Sequence, residues 1–312
     1  MAGPLLVIKV DVDTDRGTRL GVPALLNLFK EFAIHTTFYF SLGPDNTGRA
    51  VRRLFRLGFF GKVVRTNVVG VYGVRTLLNG VLWPGPHIGH RNEAVMRAAR
   101  DAGHEVGIHC YDHIRWQDGL AAMSREEVYA EFNRARKEFE RIFDKPAITA
   151  GAAGWQANRH SLAAYDDAGL SYASDARGDR PFFPRSDGRV FKTLQIPTTL
   201  PTLDEVLGRP DYPPGSPPDY ADGRLIDWYC GRLDPVRPNV LTIHAELEGM
   251  RHAPLFRALL RRLLAVPVTC VTLGQLAERL LRKTEALPVL ELGMGRIDGR
   301  SGTVAVPLTP GA

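Results

Sequence analysis

LLVIKVDVD, residues 5–13, decides the fold. Leu5 to Val10 is an apolar run that reads as a buried strand ending at Asp11. Asp11 and Asp13 stand two residues apart, so on extended chain their carboxylates point to one face. A turn rich in Asp would look the same. The ends of strands in α/β sheets are where sites form, however, and there the pair serves as metal ligand plus general base.

Outward from this strand, the sequence alternates. Gly21–Phe32 has helical spacing with Pro23 in its first turn, and Thr36–Leu42 is a β-branched, aromatic strand. Glu93–Ala102 reads as a helix stopped by Gly103, Glu105–His109 as a strand, and Ser124 with Glu127 as a capping box opening a helix to about Phe143. Strands follow near Ala147–Ala150, Ser171–Ala173, Phe191–Pro197, Asn239–His244 and Pro267–Val271. Helices are expected at about Arg159–Ala168, Tyr220–Arg232, Pro254–Leu264 and Leu273–Arg282, with a Pro-rich loop over Pro201–Pro218. This is the signature of an α/β fold on a mainly parallel sheet, and about seven strands suit a barrel. Residues 1–286 form the expected barrel domain, with a basic insertion at about 46–92. From Leu287 to Ala312 the tail is rich in Gly and Pro; Val289–Leu292 and Thr303–Pro307 either pair as a hairpin or are loosely held.

The 312 residues can bury a large core, and 44% hydrophobic with 24% charged residues excludes a disordered chain. No run of 18 uncharged apolar residues exists, and Met1–Val10 lacks the basic start of a signal peptide. Three scattered cysteines, Cys110, Cys230 and Cys270, fit reduced thiols. Cys110 lies between two candidate ligands but is expected to pack inward. The net charge of +6 is uneven: eight Arg and Lys and no acid fall between Asn46 and Asn92, leaving the rest at −2. Residues 48–82 interleave those cations with Leu, Phe and Val, a pattern suited to an anionic membrane surface; a pair of amphipathic helices with an Arg-rich solvent face is the alternative. No nucleic-acid motif is present, and nucleic acid is not an expected partner.

Two further groups carry chemistry. His109 and His113 lie four apart after a strand, a spacing at which two imidazoles share one ion if the segment turns helically. His244 ends a late strand, where it can protonate a leaving nitrogen. Each histidine alone has an ordinary structural explanation. Three such groups following three apolar strands argue for one site.

Asp-x-Asp, then His-x-x-x-His, then a late strand ending in His resembles the NodB-type polysaccharide deacetylases. The resemblance implies a distorted (β/α) barrel of about seven strands, Asp11 as base, Asp13, His109 and His113 as ligands of one divalent metal (Zn, Mn, Co or Fe), and His244 as acid. It also implies that Asp175 orients His244. The stretches GPDNTGR (43–49), LWPGPHIGHRNE (82–93), TAGAAGWQAN (149–158) and PTTLPTLDEV (197–206) resemble a narrower branch, deformylases of a lipid-linked formamido sugar. That likeness runs over roughly residues 5–283 and implies an enzyme at the cytoplasmic face of a bacterial inner membrane. It also implies a part in lipid A modification and resistance to cationic antimicrobial peptides. One departure stands out: the family's third motif carries an Arg that pairs with the catalytic Asp, and here it reads Gly151-Ala152-Ala153-Gly154-Trp155. Arg177 is the candidate replacement. Arg16, Arg19, Asn46, Trp155 and Glu246 are candidate substrate contacts, and a backbone N–H near Gly154–Trp155 a candidate oxyanion donor. The competing readings are a deacetylase of another N-acylated sugar and a non-catalytic lipid-sugar binding module.

Overall fold

The computed structural model describes residues 3–50, 68–209 and 223–308. Parallel pairing carries the sheet from β1 (Leu5–Val12) through β2 (Thr37–Ser41), β3 (Glu105–Cys110), β4 (Thr149–Ala150) and β5 (Tyr172–Ala173). A hairpin of β6 (Phe183–Ser186) and β7 (Arg189–Val190) stands apart, and β8 (Leu194–Gln195) then pairs with β5. β9 (Asn239–His244) returns to the other edge of β1, and β10 (Thr269–Cys270) pairs with its start. The curled sheet closes without a regular ladder: Thr199 and Leu200 both donate their N–H to the Val240 carbonyl at 3.1 Å. The result is a distorted seven-stranded barrel with the short β10 tucked beneath.

Alternation along β1 assigns the two faces. Leu6, Ile8, Val10 and Val12 pack outward against the surrounding helices, with Leu25, Phe29 and Phe256. Val7 faces the barrel interior among Tyr39, Tyr172, Leu194 and Val240, where Leu273 and Leu276 of the helix Leu273–Leu281 plug the lower end. Each such side chain contributes about 1.5–3 kcal/mol through burial. The helix Arg125–Phe143 begins where Ser124 Oγ accepts from the Glu127 N–H and Glu127 Oε2 accepts from the Ser124 N–H. It buries Val128, Phe132, Ala135, Phe139 and Ile142 along one stripe and ends at Asp144, whose φ of 56° is left-handed.

Several expectations shift. The helix expected from Glu93 starts at Ile88 and runs to Asp101, with His87 as an unusual N-cap. The tail forms the hairpin alternative: β11 (Val289–Gly295) pairs antiparallel with β12 (Val304–Leu308) and parallel with β6. The β6–β7 hairpin had no clear signal, because Arg189 and Val190 are exposed and short of apolar contrast. Of the basic segment, residues 51–67 lie outside the described residues, as do residues 210–222 of the Pro-rich loop and the helix start expected at Tyr220. The helix Val68–Leu78 breaks direction at Gly73, whose φ is 76°.

Candidate metal centre

Parallel strands put the ends of β1, β3 and β9 at one end of the barrel. Asp11 and His244 are direct register partners on β1 and β9, so their side chains share a face. At the end of β3, His109 points inward, and Asp112 caps the helix His113–Gly119 by accepting the Arg115 N–H at 3.0 Å. That helical start gives the His109–His113 spacing its meaning. His109 Nε2 lies 3.2 Å from Asp13 Oδ1 and His113 Nε2 lies 3.4 Å from the same oxygen. Ligand atoms on a tetrahedral Zn-like ion with bonds of 2.0–2.1 Å are spaced by ~3.3 Å, so the three residues fit one divalent ion. His109 Nδ1 is 2.5 Å from the Gly151 carbonyl, a contact that places the proton on Nδ1 and leaves the Nε2 lone pair available to an ion.

The electrostatics agree. Burial pushes the Asp13 carboxyl up, but His113 and His109 outweigh it and hold it well below the usual carboxylate range. For His109, burial works against the cation, yet Asp11 and Asp13 raise it overall. Cys110 packs inward against Ser41 Oγ at 3.4 Å, its thiol pushed well up by burial.

Asp11 lies beside this group. Its Oδ1 is buried without a hydrogen-bond partner, while Oδ2 stands 3.4 Å from Lys9 Nζ. Lys9 is the residue that sequence reasoning missed. Fully buried, it donates to the Ser174 carbonyl at 2.9 Å and lies 5.4 Å from the ring centroids of Tyr39 and Trp155. A buried ammonium requires such compensation. The small third motif makes room for it: a Cβ on Gly151 would come within 2.8 Å of the Tyr39 ring and 3.1 Å of Lys9 Cε. The signal was present, since Lys9, Asp11 and Asp13 alternate on one face of an otherwise apolar strand.

Arg177 does not stand beside Asp11. It pairs with buried Glu205, donates to the Leu200 carbonyl at 3.3 Å and stacks on Trp155. The cation that pairs with Asp11, among the described residues, is Lys9. Nor does Asp175 contact His244. Asp175 Oδ1 accepts the Ala152 N–H at 2.7 Å, Oδ2 accepts from Gln195 Nε2 at 2.9 Å, and burial pushes its carboxyl up to about 6. His244 Nδ1 is buried without a hydrogen-bond partner, and its ring meets Trp155 edge-on at 6.3 Å.

The other expected substrate contacts divide by depth. Glu246 is fully buried, and its Oε1 accepts from Asp13 N, Thr14 N and Thr14 Oγ1 at 3.1, 2.9 and 2.7 Å. It therefore props the loop that carries Asp13; a Cβ on Gly17 would fall 1.9 Å from that oxygen. Asn46 is buried and donates to Asp112 Oδ2 at 2.6 Å, bracing the helix of His113. Trp155 is buried, with a φ of 53° rare for a bulky residue, and donates from Nε1 to Thr198 Oγ1. Its backbone N–H already donates to the Ala152 carbonyl, so it is not free for an oxyanion. Arg19 is exposed, and Arg16 is half-buried against Gly73 with its Nε unbonded.

Glu248 supports His244 from behind: its Oε2 accepts the His244 N–H at 2.8 Å, and burial pushes the carboxyl up to about 8. An unfolded Glu titrates near ~4.3, so between there and about 8 the folded chain holds more protons than the unfolded one. Stability therefore falls as pH rises through that window. Glu248→Gln should flatten the fall by roughly 3 kcal/mol between pH ~5 and ~8 in urea titrations. An unchanged slope would show that another group is responsible.

With fold and site in view, the chain belongs to the polysaccharide deacetylase family, whose pattern it matches over residues 12–173. It is 36% identical over 296 residues to a Shewanella sediminis protein named as a 4-deoxy-4-formamido-L-arabinose-phosphoundecaprenol deformylase, covering 95% of this chain and 92% of that one. A Wigglesworthia glossinidia brevipalpis protein of the same name is 32% identical, covering 93% and 97%. In fold, the chain is similar to a solved Mycobacterium smegmatis structure described as a polysaccharide deacetylase, with a TM-score of 0.63, 18% identity and coverage of 95% and 96%. A Pseudomonas aeruginosa structure of the same description gives 0.58, 16% identity and coverage of 89% and 91%.

Proposed function

We propose that this chain is a metal-dependent amide hydrolase that removes the formyl group from 4-deoxy-4-formamido-L-arabinose carried on undecaprenyl phosphate. The observation that carries this reading is the convergence of Asp13, His109 and His113 beside the unbonded Oδ1 of Asp11, with His244 as its cross-strand neighbour. The substrate comes from the named relatives.

Asp13, His109 and His113 would hold the divalent ion; their N₂O donor set suits Zn, Mn or Co. Bound there, such an ion lowers the pKa of water toward ~7 and polarises the formyl carbonyl. Asp11 Oδ1 takes the proton from the attacking water. Lys9 keeps the Asp11 carboxylate turned so that Oδ1, not Oδ2, faces the reaction. The imidazole of His244 returns a proton to the sugar nitrogen as the C–N bond breaks, giving formate and a free amine. Glu246 and Gly151 hold the ligands in place through Asp13 N and His109 Nδ1. Arg177 and Asp175 serve as buried supports of Trp155 and the third motif.

A membrane-facing role for residues 46–92 is part of the same reading. Val74, Val81, Leu82 and Trp83 are exposed apolar side chains in the same segment as the exposed Arg75, which supports contact with an anionic bilayer. No described helix is long and apolar enough to cross a membrane. The protein would bind peripherally at the cytoplasmic face, where its product feeds lipid A modification and polymyxin resistance.

Formate release from the formamido lipid, with and without chelator, tests the reaction. We expect chelator-sensitive turnover and at least about 10-fold preference over the acetamido analogue, the scale one methyl group sets in a fitted pocket. Equal rates on both would favour a general N-acyl sugar deacetylase. Binding without turnover would favour a lipid-sugar binding module.

A further inference from the structure

A second group of donors lies outside the site described above. His87 and His90 stand at the start of the helix Ile88–Asp101, and Glu138 reaches toward them from the helix Arg125–Phe143. We propose that His87, His90 and Glu138 form a second site for a divalent transition-metal ion such as Zn²⁺, weaker than the first and independent of it.

The geometry parallels that of the first centre. His90 Nε2 lies 3.4 Å and His87 Nδ1 3.9 Å from the same oxygen, Glu138 Oε1; ligation would take the Nδ1 lone pair from the long 3.4 Å cap bond it accepts from the His90 N–H. The imidazole rings are stacked, with centroids 3.9 Å apart, so both donors point to one side. Tyr111 Oη stands 3.4 Å from His87 Nε2, the outer-nitrogen partner that metal-bound histidines carry. Glu138 is nine-tenths buried, since its side chain is only 10% exposed, and aims at the histidines. Two neutral imidazoles and a carboxylate are a borderline donor set, suited to zinc rather than calcium or magnesium.

The surrounding charge permits a dication. Arg141 bridges Glu138 and Glu93, while Arg97 joins Glu93 to Asp144. Three carboxylates against two guanidiniums leave the cluster net negative. Glu138 Oε1 already accepts from Arg141 Nη2 at 2.8 Å, and a carboxylate oxygen has a second lone pair for an ion. That shared oxygen, and the 59% exposure of the His90 side chain, make the site weaker than the buried one.

Zinc titration of the metal-stripped full chain, followed by calorimetry, tests the assignment. Wild type is expected to bind two equivalents with affinities at least about 10-fold apart. His90→Ala should keep the tight equivalent and lose the weak one; its side chain is mostly in solvent, so the fold is not at stake. With cobalt in place of zinc, the second equivalent should add visible absorption that His90→Ala lacks. A single equivalent in wild type at saturating zinc, or two in His90→Ala, would overturn the proposal. Glu138→Gln, which keeps the shape and removes the charge, should weaken the second equivalent without touching the first.

Discussion

Replacing Asp11 by Asn should lower kcat by about 10²–10⁴ while the tightly held metal stays at one equivalent. The amide keeps the size of the side chain but cannot take a proton at the position of Oδ1, the oxygen that is buried without a hydrogen bond. KM should change little, since Asp11 holds no substrate group in this reading. The same substitution leaves Lys9 facing a neutral partner inside the barrel. Removing one member of a buried ion pair costs about 3–5 kcal/mol, so thermal stability should drop as well. Rates are therefore to be measured well below the lowered melting temperature. Retained turnover, or loss of the tight metal along with activity, would take the role of base away from Asp11.

His109→Ala should abolish both tight metal binding and turnover. In the proposed site its Nε2, 3.2 Å from Asp13 Oδ1, is a ligand atom, and its Nδ1 is anchored on the Gly151 carbonyl. Losing a supporting contact of a metal ligand typically costs 10–100-fold in affinity; losing the ligand itself should exceed that. Metal content by mass spectrometry after dialysis, beside the formate assay, separates the two readouts. A variant that retains one tight equivalent would show that the ion sits elsewhere.

Much of this architecture was legible in the sequence. Asn239–His244 and Arg159–Ala168 match their expected bounds, because an apolar run and a helix closed by Gly169 leave little freedom. The convergence of Asp13, His109 and His113 was legible as well, since strand ends in a parallel sheet meet at one end. What escaped was relational. Lys9 passed unmarked inside the apolar run Leu5–Val10, and only an interior filled by Tyr39 over Gly151 gives it a role. Arg177 was the candidate for the family's missing third-motif Arg, whereas Glu205, 28 residues away, claims it. Glu246 and Asn46 carry polar groups that suit a sugar equally well, and only their burial assigns them to the support of Asp13 and Asp112. Helix starts with unusual caps, such as His87, also give no reliable mark in the chain.

The late hairpin redraws where the functional unit ends. The barrel domain expected from the sequence ends at residue 286, and a designer trimming the gene to it would cut there. Yet the Ala305 carbonyl accepts the Arg177 N–H at 2.8 Å, Arg300 lies 4.3 Å above the Trp155 ring, and Arg209 reaches Asp298. A shortened chain would strip one wall from the indole that borders His244. The final hairpin thus belongs to the body that carries the site, and any transplant of this barrel must carry its final strand.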